Sequence, residues 1–175
     1  LACNGKPTAD KKMIAKDEDA FNSILTDMDS NLASSPFLTN RINEISNALA
    51  QPRPVILYKD SLSQNQALAQ VIALNDSAFT QFLIDPFLKK PYRNEIFGIY
   101  PARQSDMGSV KVPYNLTNCF RVEMYNYPLN NTSVALVDVQ QQKVLHRYYL
   151  SSTQPDLPPH LMNLAVKIAV ESADV

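Results

Sequence analysis

Histidines are the first side chains to test for chemistry at neutral pH, and the chain has two, His146 and His160. A metal ion needs three or four protein ligands, so this pair does not predict a metal site. Neither histidine belongs to a motif that places a base beside a nucleophile, as covalent catalysis requires. Glu123 and Asp138 could act as a carboxylate pair, but we assign them to surface and turn positions. We therefore expect no catalytic residue, metal site or cofactor in this chain.

Four tyrosines could form a binding surface. Tyr125 and Tyr127 lie in one predicted strand, and Tyr148 and Tyr149 lie in another. Aromatic rings on a sheet can stack on a sugar or a peptide, or they can cover a seam with another domain. We expect the second role, in which the sheet face contacts a protein partner or a downstream domain.

The two cysteines, Cys3 and Cys119, bear on the location of the protein. Leu1, Ala2 and Cys3 resemble the end of a bacterial lipoprotein signal, where small residues precede the acylated cysteine, and a polar tether follows. A Cys3–Cys119 disulfide in an exported protein is the alternative, and two inert reduced thiols are a third possibility. The first two predict an extracytoplasmic protein, in the bacterial periplasm or on the outer surface. Lipidation of Cys3 would in addition anchor the chain to a membrane.

The composition argues against several classes of protein. The net charge is -1 and the sequence pI is about 6.1, so the chain lacks the excess of basic residues that is typical of nucleic-acid-binding proteins. The 3 glycines argue against loops that cradle phosphate. No apolar run reaches the roughly 18 residues that a membrane-spanning helix needs.

Residues 119–150 carry the clearest pattern, which predicts a three-stranded antiparallel meander. Phe120, Val122 and Met124 alternate with polar neighbours, so we expect one buried face and one wet face. Residues 134–139 are almost all apolar, which is typical of a strand covered on both faces. In the two turns, Asn130 tolerates a positive φ and Asp138 can accept hydrogen bonds from free backbone N–H groups.

Apolar stripes at helical spacing predict helices at residues 17–33, 40–50, 64–74 and 159–173. Residues 77–83 are expected to continue the third helix or to start another. Ser63 and Gln66 fit a capping box at the start of the third, and Ser35–Pro36 is expected to end the first. We predict an α+β fold: an antiparallel sheet, made of the meander and a strand at residues 93–102, is packed by amphipathic helices and preceded by a helical segment. The expected divisions are a tether (1–16), the helical segment (17–53), the α+β module (54–152) and a linker with a helix (153–175).

Two helical segments echo each other. Residues 68–74 read LAQVIAL and residues 164–170 read LAVKIAV, so four of seven positions are identical. Two amphipathic helices can match by coincidence, because both place Leu, Ala and Ile on one face. The alternative is an internal repeat in which residues 153–175 begin a second module.

The hairpin of residues 134–145, with Val-Asp before a run of glutamines and Lys-Val-Leu after it, resembles the PepSY-type hairpin. It is similar above all to the small N-terminal α+β domains of copper amine oxidases, and the similarity extends over about residues 60–175. The Gly usual in the PepSY turn is absent. The resemblance implies a non-catalytic domain, because the quinone and the three copper-binding histidines of that family lie in a separate β-sandwich. The quinone motif is not matched here, since Pro128 follows Tyr127.

Three functions follow as hypotheses. The first is a non-catalytic accessory or docking module of the cell envelope, within a longer protein. The second is a PepSY-like peptide-binding or inhibitory module that adds a peptide strand to the edge of its sheet. The third is the N-terminal part of an amine oxidase-like enzyme whose active site lies downstream.

Overall fold

A five-stranded sheet with helices on both faces makes up the part of the protein that the structure describes. The structure, a computed structural model, describes residues 35–108 and 116–171. The predicted tether and the predicted helix at 17–33 lie outside these residues. The elements are α1 (Pro36–Leu49), β1 (Val55–Ile56), α2 (Gln64–Asn75), β2 (Asn94–Pro101), β3 (Cys119–Asn126), β4 (Asn131–Asp138), β5 (Lys143–Ser151) and α3 (Pro159–Glu171), with short 3₁₀ helices at Gln104–Met107 and Leu116–Asn118.

The strands follow one another across the sheet in the order β1-β2-β3-β4-β5. All neighbours are antiparallel except β1 and β2, which are parallel because α2 connects them as a crossover. The predicted α+β class is confirmed, as is the meander of β3, β4 and β5. The short parallel strand β1 makes the sheet mixed and forms one of its two edges.

Both predicted turns of the meander are confirmed. Asn130 has a φ of 45°, in the left-handed region that asparagine tolerates. In the next turn, Asp138 Oδ1 accepts hydrogen bonds from the backbone N–H groups of Gln140 and Gln141, each at 2.9 Å. These local bonds fix the register of the strands on either side.

One face of the sheet packs against α2 and forms the hydrophobic core. Ala69 and Ala73 of α2 are fully buried, and their small side chains let the helix lie close to Val122 and Ala135. The predicted capping box is confirmed, because Ser63 Oγ accepts from Gln66 N and Gln66 Oε1 accepts from Ser63 N. The remaining members of this core are Val55, Phe79, Leu83, Ile96, Ile99, Phe120, Met124, Val137 and Val139.

The other face of the sheet is also covered, which corrects the expectation of a wet face. Glu95, Phe97 and Tyr125 are buried on this side. Arg41 of α1 reaches Glu95, and Thr132 Oγ1 donates to the carbonyl of Thr153 in the segment before α3. We call α1 and α3 the outer helices, because both lie on this face. Alternation along β3 therefore separates two buried faces and does not separate core from solvent.

Three local features differ from what the sequence predicts. The helix predicted at 40–50 begins already at Pro36: Ser35 Oγ accepts from Leu38 N, and proline fits a first turn because its missing N–H has no helical partner there. The helix at 17–33 that Ser35 and Pro36 are expected to end lies outside the described residues. Residues 77–83 form turns, not a helix. Strict alternation along the strand predicts that Val144 and His146 share a face, but a bulge opposite Leu136 and Val137 shifts the register and puts them on opposite faces.

Candidate functional site

Cys119 is a free thiol at the start of β3 and is buried. Burial raises the pKa of this thiol, and the nearby charge of Asp138 raises it further. A thiol in these surroundings is a poor nucleophile. Cys3 lies outside the described residues, so lipidation and disulfide formation both stay predictions.

The four tyrosines do not form one surface, which corrects the predicted binding face. In the register of the sheet, Tyr149 shares a row with Met124 on the core side, whereas Tyr125 and Tyr148 lie on the opposite side. The Tyr149 ring packs edge-on against the Phe82 ring, with the ring centroids 5.1 Å apart.

Tyr125 and Tyr127 pack on each other, with ring centroids 4.8 Å apart, and both contact Phe97. Tyr125 donates its hydroxyl to Asn130, and Tyr127 donates to Glu95. Burial raises the pKa of Tyr127, and the charge of Glu95 adds to the effect. These two rings are part of the packed interior.

The two histidines lie in different places. His146 is half-buried beside Tyr148 on β5. His160, in the first turn of α3, lies between two carboxylates: Nδ1 is 3.0 Å from Asp60 Oδ2 and Nε2 is 3.6 Å from Glu95 Oε1. Within residues 35–108 and 116–171, no three His, Cys, Asp or Glu side chains are grouped as a metal ion would need.

Glu95 is the centre of a buried polar cluster that was not among the residues predicted from the sequence. Its carboxylate is fully buried and accepts from Arg41 at 2.5 Å and from the Tyr127 hydroxyl at 2.8 Å. Arg93 lies 3.9 Å from the same carboxylate and stacks 3.8 Å above the Tyr127 ring. A signal was present, because Glu95 is the only charged residue in an otherwise uncharged run from Asn94 to Ala102.

The cluster extends to the surface through α1. Glu44 accepts from Arg41 at 2.8 Å and pairs with Lys59 at 2.5 Å. Burial alone would raise the pKa of Glu44, but hydrogen bonds from Lys59 and Arg41 outweigh it and hold the pKa below the ordinary value. This chain of charges, Lys59–Glu44–Arg41–Glu95, connects β2 and the end of β1 to the helix.

An open groove of about 450 Å³ lies where that charge chain reaches the surface, between α1 and β1. Asn40, Asn43 and Asn47 line the α1 side, at a spacing that puts them on one face of the helix. The opposite side is Val55, Ile56 and the exposed Leu57. Among the described strands, β1 pairs only with β2, so its other edge faces this groove.

A second cleft, of about 390 Å³, lies between the end of β2 and residues 153–156. Arg121 occupies it and pairs with Asp106 at 3.0 Å and with Glu123 at 2.9 Å. Burial raises the pKa of Glu123; Arg121 opposes the shift, and the charges of Asp156 and Asp106 add to it. Because Arg121 is already paired with both Asp106 and Glu123, we assign this cleft a structural role and take the groove along β1 as the candidate site.

No helix within the described part of the chain is long and apolar enough to cross a membrane.

Comparisons with known proteins do not test the family resemblance, which stays a prediction. No family model, no curated protein and no solved structure matches this chain.

Proposed function

We propose that this chain is a non-catalytic docking module of the bacterial cell envelope, held at a membrane through Cys3, that binds an extended segment of a partner protein. The observation that carries the proposal is the groove between α1 and β1, where a sheet edge faces a row of asparagines. The likeness of its hairpin to PepSY-type modules supports the same function.

The chemistry of the groove suits the main chain of a peptide. An extended peptide presents N–H and C=O groups along both of its sides. One side can add to the edge of β1, as in strand addition. The other side can pair with Asn43 and Asn47, since each asparagine amide both donates and accepts. The exposed Leu57 offers an apolar contact for one peptide side chain.

The groove is also held in a fixed shape. Arg41 and Glu44 tie α1 to β2 and to Lys59, so that the helix keeps its distance from β1. A preformed site loses less conformational entropy on binding than a flexible one. The paired charges of Glu44 and Lys59 leave the groove close to neutral, which favours a peptide backbone over a strongly charged ligand.

Selection from a phage-displayed library of random linear peptides tests the binding function. We expect peptides selected on the full chain to lose about tenfold in affinity for the double variant Asn43→Ala/Asn47→Ala, because two hydrogen-bonding side chains are removed. The matched control is Asn65→Ala/Asn163→Ala, which removes two exposed amides from the other helices and should leave affinity unchanged.

Two outcomes contradict the binding function: no peptide is enriched, or the enriched peptides bind both double variants equally well. The envelope anchor has its own test, the mass of the native N-terminus. A diacylglycerol on Cys3 adds several hundred daltons, whereas a Cys3–Cys119 disulfide removes two hydrogens. An unmodified Cys3 in cell-derived protein would remove the anchor from the proposal without affecting the groove.

A further inference from the structure

A turn between α2 and β2 presents large apolar side chains to solvent. Phe87 is 86% exposed and Leu88 is 62% exposed, the highest values for a phenylalanine and a leucine among the exposed large hydrophobics. Ile84, Pro86 and Pro91 around them are exposed as well. A ring as free of neighbours as that of Phe87 stands at a protruding tip and not in a groove.

Hydrogen bonds hold the tip in one backbone conformation although it is exposed. Asp85 Oδ1 accepts from the backbone N–H groups of Phe87 at 2.7 Å and Leu88 at 2.9 Å. Asp85 N donates to Lys90 O at 2.8 Å, and Lys89 N donates to Asp85 O at 3.0 Å. The carboxylate of Asp85 is buried beneath the turn and its pKa is lowered, chiefly by the Leu88 N–H. The two apolar side chains are therefore held outward before any contact is made.

Positive charge lies beside the apolar tip. Lys89 and Lys90 directly follow Leu88 and are exposed, while the one acidic residue of the turn, Asp85, is buried under it. Apolar side chains flanked by lysines match the boundary between acyl chains and anionic headgroups in a phospholipid bilayer. We propose that the tip formed by Ile84–Pro91 inserts Phe87 and Leu88 into a membrane surface that contains anionic phospholipid.

The shape and the charge of the tip favour a lipid surface over a protein partner. A protein would need a pocket complementary to two neighbouring side chains that protrude from a short turn. A bilayer accepts a convex apolar tip without such a pocket, and its phosphates complement the lysines. Since the chain has no polybasic cluster, the attraction comes from apolar insertion assisted by two lysines.

Vesicle binding of the full chain tests the proposal, with Cys3→Ser included so that no acyl chain contributes. We expect sedimentation with vesicles of phosphatidylcholine and phosphatidylglycerol, and weaker binding to phosphatidylcholine alone. Phe87→Ser/Leu88→Ser should weaken binding at least about tenfold, and Lys89→Gln/Lys90→Gln should weaken it about fivefold per lysine. The matched control Val71→Ser/Val166→Ser removes two exposed aliphatic side chains from α2 and α3 and should have no effect.

A fluorescence measurement keeps the proposal testable if a double variant folds poorly. The chain has no tryptophan, so Phe87→Trp introduces a single reporter at the tip. Its emission should shift to the blue on adding the mixed vesicles, and that of a Val71→Trp control should not. The proposal is overturned if the chain fails to bind the mixed vesicles, if Phe87→Ser/Leu88→Ser binds as well as the parent, or if the emission of the Phe87→Trp variant does not shift.

Discussion

At the scale of single residues, the main feature is a carboxylate buried with partners that reach it from four directions. Glu95 receives Arg41 from α1 and the Tyr127 hydroxyl from the residue after β3, while Arg93 and His160 approach it within 4 Å. A buried charge costs several kcal/mol in desolvation, and its partners must offset that cost. Removal of one partner should therefore destabilise the fold far more than removal of a surface ion pair.

The same arginine-to-glutamine substitution, made in a buried ion pair and in a more exposed one, tests this expectation. Arg41→Gln leaves the fully buried Glu95 without its closest cation and should lower the free energy of unfolding by about 3 kcal/mol. Arg147→Gln breaks the Arg147–Asp76 pair, whose arginine is 40% exposed, and should cost less than about 1 kcal/mol. Urea unfolding followed by circular dichroism measures both. Equal losses of unfolding free energy would contradict the expectation that the buried Glu95 depends on Arg41 more than a surface ion pair depends on its partner.

At the scale of elements, charged side chains tie each outer helix to the rest of the fold. α1 is tied to the sheet by Arg41 and Glu44. α3 is tied near its start by His160 to Asp60 and at its end by Glu171 to Ser35. Apolar packing holds α2, where Ala69 and Ala73 are buried in the hydrophobic core. Docking of α1 should therefore depend on the protonation of Glu44, whose pKa is lowered by its partners Lys59 and Arg41, unlike docking of α2.

The pH dependence of stability tests the docking of α1. Because the folded pKa of Glu44 lies below its ordinary value of 4.5, its contribution is complete above about pH 4.5 and is lost as pH falls through the folded pKa. We expect the stability difference between the parent and Glu44→Gln to be largest near neutral pH and to close in acid.

Glu123 provides a control with the opposite sign. Its folded pKa is raised, so the parent chain loses stability as pH rises through that pKa. Glu123→Gln, which cannot ionise, should gain stability relative to the parent over the same rise. If the two variants show the same pH trend, the assignment of opposite pKa shifts is wrong.

At the scale of the whole molecule, α3 differs from the other two α-helices of the described residues because it contributes no buried residue. No residue of α3 is buried, and Met162, Val166 and Val170 form an exposed apolar stripe. Ala165 and Ala169 are exposed, although Ala69 and Ala73, their counterparts in the sequence echo, are fully buried under α2. A second module would need such an exposed face on α3 in order to pack against it. The division at residue 153 stays a prediction.

Hydrogen exchange measures how far α3 belongs to the folding unit. Amides in β4 should be the most protected, because every residue from Thr132 to Asp138 is buried. Amides in α3 should exchange through local opening at a lower free energy than those of α2. Protection of α3 equal to that of α2 would show that residues 159–171 unfold only with the core.

The sequence alone determined the elements whose signals are local. The capping box at Ser63, the turns at Asn130 and Asp138, and the alternation of Phe120, Val122 and Met124 each depend on neighbours a few residues away. The α+β class and the meander follow from such signals, because turn chemistry and a period of two fix strands and their register.

Only the tertiary structure decided which surfaces are covered and where a site could lie. Alternation along β3 shows that two faces differ, but not that α1 and α3 bury the second, because those contacts join residues far apart in sequence. The same is true of the Glu95 cluster, and of the groove, which exists only because Asn43 and Asn47 face the edge of β1. A one-residue bulge beside Val144 moves a side chain to the other face, and no local pattern in the strand predicts it.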